Sequence, residues 1–237
     1  MDIHSQKQTS YKIFDNIAKT YDFLNHLLSF GFDFYWRKQL LKLIPIKKGQ
    51  YALDIATGTG DIPILLSQKQ EIVSITGIDL SKEMITLGNK KIIKKGLENK
   101  VKLIIGDGVI LPFPDQSFDV VTIGFGIRNF YDMKNSLKNI HRVLKKDGRL
   151  LIIEFSIPQN KIIKQMYLLY FRHILPSIGN LISKHNNAYS YLNATVEDFP
   201  YGKDFAKLMS EAGFKNIRFK MLTFGVVTIY VGEKREN

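Results

Sequence analysis

The feature that most constrains this chain is an alternation, from residue 50 onward, of short apolar runs with segments of helical periodicity. The apolar runs lie at residues 51–56, 72–78, 101–105, 118–123 and 149–155. Segments with helical spacing occupy residues 61–68, 82–95 and 133–144. Such an alternation favours an α/β fold in which helices cover both faces of a parallel sheet.

The last 35 residues depart from this alternation. A helical segment at 203–212 ends at Gly213 and is followed by two apolar runs, 216–223 and 226–232, which a turn at 224–225 separates. Two runs joined by a short turn predict an antiparallel hairpin. The whole pattern therefore predicts a seven-stranded, mostly parallel sheet with a C-terminal antiparallel hairpin.

Two further helical regions precede the alternating part. Apolar side chains recur at helical spacing over 11–28, and a shorter helix at 34–43 ends before Pro45. We therefore expect an N-terminal helical cap over residues 1–45 and a helical insertion over 158–200. The 237 residues suit a single domain, residues 1–237.

Composition excludes several classes of chemistry. The chain has no cysteine, so disulfides, thiolate zinc sites and cysteine nucleophiles are absent. No His/Asp/Glu cluster has metal-ligand spacing, so we predict no metal. No apolar stretch reaches the roughly 18 residues of a membrane span, and no signal peptide is present, which favours a cytoplasmic protein. The net charge of +12 invites an anionic partner, but its lysines are spread along the chain.

A glycine-containing loop follows the first predicted strand. Gly58 and Gly60 allow a ligand to approach the backbone at the start of a helix, where free N–H groups are available. Pro63 stands where a dinucleotide loop would carry its third glycine. Asp54 precedes the loop, and a carboxylate there suits the ammonium and sulfonium of S-adenosylmethionine better than two phosphates.

Two more acidic residues stand at the ends of the next strands. Asp79 ends the second strand, where a carboxylate accepts hydrogen bonds from ribose hydroxyls. Asp107 ends the third, where it can accept from an adenine amine. Each alone is a common turn residue. Because parallel sheets bind ligands at the carboxyl ends of their strands, Asp54, Asp79 and Asp107 together predict one nucleoside site.

Several segments resemble known methyltransferases. Class I methyltransferases share segments similar to LDIATGTGD (53–61), GIDLS (77–81), LPFPDQSFD (111–119) and RVLK (142–145). A narrower resemblance, to the demethylmenaquinone and polyprenyl-methoxy-benzoquinol C-methyltransferases, rests on YDFLN (21–25), LSFG (28–31), WR (36–37), FGIRN (125–129), EFS (154–156), YSYL (189–192) and FP (199–200). The likeness covers roughly residues 11–232 and implies a Rossmann-like fold.

The resemblance implies S-adenosylmethionine as cofactor and a polyprenyl hydroquinone as substrate. It implies cofactor contacts at Thr59 and Gly108 as well as at Asp79 and Asp107. Many relatives carry serine where this chain has Gly124, so a side-chain contact to the cofactor is expected to be lost there.

The candidate catalytic residues are Arg128, Asn129 and Tyr191. A guanidinium beside the phenol would stabilise phenolate, and Asn129 would orient the substrate oxygen, unless both are ordinary loop residues. We expect Tyr21, on a helix folded over the cofactor as a lid, to reach the cofactor or substrate. Tyr191 would line the quinone slot, as would Tyr189, and His185 is a weaker candidate proton acceptor; core packing is the alternative for the tyrosines.

The segment 162–174 carries an apolar helical face formed by Ile163, Met166, Tyr167, Tyr170, Phe171 and Ile174. It predicts a lid over the substrate slot, a peripheral contact with anionic lipid, or both in turn. A homodimer is compatible with the sequence.

Other functions remain open at this stage. The ring could be a naphthoquinol or a benzoquinol, and another small apolar acceptor would use the same cofactor residues. A nucleic-acid methyltransferase is disfavoured because no basic patch with interleaved aromatics is present, so we predict no nucleic-acid partner. A non-catalytic scaffold conflicts with the intact loop and acidic residues. A nicotinamide oxidoreductase conflicts with Pro63 and the terminal hairpin.

Overall fold

The computed structural model describes residues 3–175, 177 and 186–235, and the side chains of 6–175, 177 and 191–235. Seven strands form one sheet in the order β3-β2-β1-β4-β5-β7-β6. They are β1 (Gln50–Ile55), β2 (Ile72–Asp79), β3 (Val101–Ile105), β4 (Phe118–Gly124), β5 (Leu144–Phe155), β6 (Lys215–Leu222) and β7 (Val227–Glu233). The first five run parallel, and β7 pairs antiparallel with both β5 and β6. The predicted sheet and terminal hairpin are confirmed.

Helices cover both faces of this sheet. In chain order they are α1 (Ile3–Gln8), α2 (Ser10–Leu28), α3 (Phe32–Leu41), α4 (Asp61–Leu66), α5 (Lys82–Lys94), α6 (Met133–Val143), α7 (Lys161–Leu169), α8 (Asn186–Asp198) and α9 (Lys203–Glu211). Alternate side chains of the central strands point to opposite faces, as pleating requires, so Ala52 and Leu53 belong to different core clusters.

The chain order reverses direction between β1 and β4. From β1 the sheet grows through β2 and β3 on one side and through β4 and β5 on the other. The loops after β1 and β4 therefore diverge and leave a crevice at the carboxyl ends of these strands, which is where open α/β sheets bind ligands.

A third core cluster lies outside the sheet, between α2 and the segment after β5. It contains Ile17 and Leu24 of α2 together with Phe171, Leu175 and Val196. This packing holds the N-terminal helix against the described part of the segment after β5.

The segment 162–174 differs from its prediction. It is α7 followed by a π-helical turn, Tyr170–Ile174, rather than one α-helix. Tyr167 and Phe171 face inward, but Met166 is 67% exposed and Ile174 44% exposed. The prediction of a single apolar face was wrong. Some of its residues pack against α2, and the others belong to a second apolar face that is exposed to solvent.

Candidate active site

The crevice is bordered by two residues in left-handed backbone conformation. Ala56 follows β1 with φ +54°, and Phe125 follows β4 with φ +59°. Residues other than glycine rarely adopt this conformation, and such strain is concentrated at functional sites. Gly58 also has a positive φ of +54°, and a Cβ there would meet no atom within 4 Å. The glycine loop thus borders open space.

That space is an open cavity of about 700 Å³ above the sheet. Its walls come from the loops after β1, β2, β3 and β4 and from one side of α2. Among the residues predicted from sequence, those that line it are Tyr21, Gly58, Asp79, Asp107, Gly108 and Asn129. The Oδ1 atom of Asn129 is buried and has no hydrogen-bond partner among the described residues.

Both cavity carboxylates are held by the backbone. Asp79 accepts a hydrogen bond from the Gly58 N–H at 2.8 Å and another from the Ser81 N–H at 2.9 Å. Asp107 accepts from the Val109 N–H at 2.8 Å and from the Tyr131 hydroxyl at 3.1 Å. Burial raises the pKa of Asp79, although the two N–H donors oppose this shift.

Three predicted cofactor residues lie beneath the cavity surface. Asp54 is buried under the loop and accepts a hydrogen bond from the Thr122 hydroxyl at 2.5 Å. Burial raises the pKa of its carboxyl to about 7. Thr59 is also buried, and Gly60 forms the N-terminal cap of α4 with φ +84°. Their direct contact with a cofactor remains a prediction.

Polar contacts fasten α2 to the glycine loop. The Thr59 hydroxyl donates to Asp22 of α2 at 2.6 Å and accepts from the Lys91 ammonium at 2.8 Å, which also pairs with Asp22 at 2.5 Å. About two turns earlier in α2, Asp15 accepts a hydrogen bond from the Ser81 hydroxyl at 2.5 Å. These contacts place α2 as a cover over the cavity, and they explain why the Thr59 hydroxyl points away from it.

A second and larger cavity, of about 1380 Å³, adjoins the first. Phe14, Tyr21 and Phe125 line both of them. Aromatic and aliphatic side chains dominate its walls, including Leu24, Phe30, Phe32, Trp36, Phe155, Tyr167, Tyr170, Phe171, Leu175, Leu192 and Val226. The site therefore combines a first cavity that contains the strand-end carboxylates with a second, larger cavity that is more strongly apolar.

Arg128 and Tyr191 lie in the wall of the second cavity. Arg128 is only 4% exposed, pairs with the fully buried Glu154 at 2.7 Å, and donates to the Phe125 carbonyl. The Phe155 ring lies 5.4 Å from its guanidinium carbon. Burial raises the pKa of the Tyr191 hydroxyl. The predicted catalytic residues are therefore divided, with Asn129 in the first cavity.

This chain is similar to known proteins over nearly its whole length. A profile of the ubiE/COQ5 methyltransferase family matches residues 1–234. The chain belongs to this family. It is 45% identical over 224 residues to the Ubiquinone/menaquinone biosynthesis C-methyltransferase UbiE of Geotalea uraniireducens, covering 94% of this chain and 95% of the relative. It is 40% identical over 223 residues to the Demethylmenaquinone methyltransferase of Bacteroides fragilis, covering 94% and 91%.

Solved structures agree in fold. A SAM-dependent methyltransferase from Thermotoga maritima superposes with a TM-score of 0.67 at 18% identity, over 95% of this chain and 99% of that one. At this identity the likeness concerns the Rossmann-like fold alone, which confirms the predicted class. S-adenosylmethionine is the cofactor of this methyltransferase family, as predicted.

Gly124 is crowded rather than open. A Cβ at this position would lie 2.3 Å from Cδ1 of Ile62 on α4. Ile62 thus occupies the volume into which a larger residue at 124 would extend. A side chain at 124 would therefore require the end of the Ile62 side chain to move.

Sequence reasoning assigned no role to three buried charged residues of the site. Asp33 and Arg37 line the second cavity from α3, and Glu154 lies behind Arg128. Arg37 and Glu154 fell inside family-like segments, which was the available signal. His185 and the side chain of Tyr189 lie outside the described residues.

Over the part of the chain described, no three acidic, histidine or cysteine side chains gather as a metal site, and no helix is long and apolar enough to cross a membrane.

Proposed function

We propose that this protein transfers a methyl group from S-adenosylmethionine to a ring carbon of demethylmenaquinol, giving menaquinol. The observation that carries the proposal is the junction of the two cavities at Phe14, Tyr21 and Phe125. A nucleoside cofactor needs the carboxylates of the first cavity, and an isoprenoid chain needs the apolar walls of the second. Methyl transfer needs the reactive ends of the two ligands to meet. The names of the relatives, which include demethylmenaquinone methyltransferases, support the same reaction.

The residues of the first cavity fit S-adenosylmethionine. The free space over Gly58 admits the ligand to the backbone, and Asp79 keeps lone pairs available for ribose hydroxyls. Asp107 is positioned to accept from the adenine amine, and the unpartnered Asn129 Oδ1 can accept a further donor. When bound, S-adenosylmethionine supplies a methyl group on a positively charged sulfur.

Arg128 is proposed to bind the quinol oxygen in the second cavity. Its guanidinium is oriented by Glu154 and the Phe125 carbonyl, and its Nε is buried with no hydrogen-bond partner in the described part of the chain. A cation fixed in a dry cavity stabilises negative charge that develops on the oxygen as the ring becomes nucleophilic. Tyr191 is proposed to line the ring slot. The described parts of residues 1–45 and 158–200 are proposed to form the cover that excludes water.

Labelled methyl transfer tests this proposal. The purified protein is incubated with methyl-labelled S-adenosylmethionine and a short-tailed demethylmenaquinone, with and without dithionite. We expect label in the quinone only in the reduced sample. No label under either condition, with cofactor binding intact by calorimetry, would remove the quinol assignment.

A benzoquinol is the second candidate substrate. The relative from Geotalea uraniireducens carries a name that includes both ubiquinone and menaquinone. A parallel reaction with 2-polyprenyl-6-methoxy-1,4-benzoquinol ranks the two rings by kcat/KM. A higher value for the benzoquinol would reassign the natural substrate without changing the reaction type.

A transient contact with a membrane surface completes the proposal. Phe23, Leu27, Phe30 and Phe34, on α2, α3 and the turn between them, are exposed, as are Ile162, Met166 and Leu169 on α7. Phe30 and Tyr170, whose ring centroids lie 5.9 Å apart, both line the second cavity. The exposed Lys161 and Lys164 beside them favour anionic lipid.

Vesicle flotation tests this contact. We expect binding to vesicles that contain anionic lipid, weakened by salt and by Phe30→Ser with Met166→Ser. Ile93→Ser, at an exposed isoleucine of α5, is the matched control and should bind normally. Absence of salt-sensitive binding would contradict the proposed membrane contact and would not affect the proposed methyl transfer.

A further inference from the structure

A single carboxylate lies among the residues that line the second cavity in the described part of the chain. It belongs to Asp33, at the first turn of α3, which is only 3% exposed. Every other titratable side chain in that lining is a tyrosine or an arginine. Glu154 lies behind the wall and is fully buried against Arg128.

Three donors hold the Asp33 carboxylate. The Ser29 hydroxyl donates to Oδ1 at 2.9 Å, and Nδ1 of His26 lies 2.6 Å from Oδ2. The Arg37 guanidinium also donates to Oδ2. Because each donor comes from α3 or from the end of α2, the carboxylate is fixed in the cavity wall and not on a mobile loop.

Arg37 connects this carboxylate to the cofactor loop. Its Nη2 lies 3.6 Å from Oδ2 of Asp61, the residue that follows Gly60 in the glycine loop. The contacts from Asp33 through Arg37 to Asp61 therefore tie the wall of the second cavity to the start of α4, directly after the glycine loop.

His26 connects the same carboxylate to solvent. Its side chain is 31% exposed and stacks on the Phe34 ring at a centroid distance of 4.3 Å. The imidazole therefore bridges a buried oxygen and bulk water. An imidazole can accept a proton on one ring nitrogen while it donates one from the other.

The reaction under "Proposed function" releases one proton inside this covered space. As the ring π electrons form the new C–C bond to the methyl group, the pair of the broken C–S bond stays on sulfur. With the quinol oxygen ionised, the methylated ring is a neutral dienone that must lose its C–H proton, whose bonding pair restores aromaticity. A covered, apolar cavity offers few acceptors for that proton.

We propose that Asp33 accepts the ring proton and that His26 passes it to water. This inference rests on the proposed methyl transfer. A carboxylate is basic enough for the task, because the electron pair of the broken C–H bond restores the aromatic ring. The alternatives in the wall are weaker: arginine stays protonated, and burial raises the pKa of the Tyr167 and Tyr191 hydroxyls. Asp33 is therefore a catalytic residue, and His26 a positioning residue that acts through it.

Ring-deuterated demethylmenaquinol tests the role of Asp33. In the wild type we expect single-turnover label transfer with no primary isotope effect. Asp33→Asn should slow product formation about 100-fold and reveal a primary isotope effect, because loss of the ring proton becomes limiting. Asp204→Asn, at an exposed aspartate in the first turn of α9, is the matched control. Quinol binding is followed independently by quenching of Trp36, the only tryptophan of the chain, which lines the cavity.

Chemical rescue tests the role of His26. His26→Ala should slow turnover and open a slot against Phe34, and added imidazole should restore the rate. His173→Ala, at an exposed histidine, should neither slow turnover nor respond to imidazole.

Two results would overturn the inference: a slowed Asp33→Asn enzyme without an isotope effect, or a slowed His26→Ala enzyme that imidazole leaves unchanged. Full activity of Asp33→Asn would do the same. If the wild type transfers no label at all, the proposed function itself fails, which separates the two outcomes.

Discussion

The guanidinium of Arg128 and the carboxylate of Glu154 lie 2.7 Å apart, at 4% and 0% exposure. Removing one partner from such a pair leaves an uncompensated buried charge. We expect Glu154→Gln to lower the free energy of unfolding by about 3 kcal/mol and to reduce kcat for methyl transfer. Urea denaturation and the labelled assay measure the two effects.

An exposed pair provides the matched control for this substitution. Arg172 and Glu197 form two hydrogen bonds, of 2.9 and 2.7 Å, at the surface of the insertion. Water screens this pair, so Glu197→Gln should destabilise the protein far less than Glu154→Gln. Equal costs for the two variants would mean that burial contributes nothing to the Arg128–Glu154 interaction.

Asp54 should make stability depend on pH. Burial raises the pKa of its carboxyl to about 7, well above the value in the unfolded chain. Below pH ~4 both states hold the proton, and between pH ~4 and ~7 only the native state does, so stability falls as the pH rises through this window. Relative to the wild type, the free energy of unfolding of Asp54→Asn should increase by ~2–4 kcal/mol as the pH rises from ~4 to ~7, measured by urea denaturation. Parallel curves for the two proteins would contradict it.

Asp79 should govern affinity for S-adenosylmethionine. An amide in its place would turn an NH₂ group toward the N–H of Gly58 or Ser81, and would weaken acceptance from the ribose. We expect Asp79→Asn to weaken binding about 10- to 100-fold by calorimetry, as for a hydrogen bond to a charged group. Asp132→Asn keeps the N-cap of α6 and serves as the control. Unchanged affinity in Asp79→Asn would exclude the ribose contact.

Gly124 and Ile62 should be coupled. A serine Cβ at 124 would lie 2.3 Å from Cδ1 of Ile62, so Gly124→Ser should destabilise the protein by about 1–3 kcal/mol. Ile62→Val removes that Cδ1 and should recover part of the loss when both changes are combined. Additive costs in a double-mutant cycle by urea denaturation would show that the two positions do not compete for space.

Local patterns were sufficient for the architecture. Alternating runs and helical periods predicted the seven strands and the terminal hairpin, because side-chain periodicity is a property of consecutive residues. The same held for Asp79 and Asp107, since the ends of parallel strands meet at one edge whatever the packing above them. Family-like segments added Arg128 and Asn129 to the candidates, and both residues lie in cavity walls.

Tertiary packing decided the rest. The sequence could not show that Thr59 turns toward Asp22, that Glu154 lies behind Arg128, or that Asp33 enters the second cavity with His26 at its back. These contacts are between residues of separate elements, and they depend on where α2 and α3 lie above the sheet. Periodicity determines which face of an element is apolar, whereas the partner of each polar group is fixed only when the elements pack together.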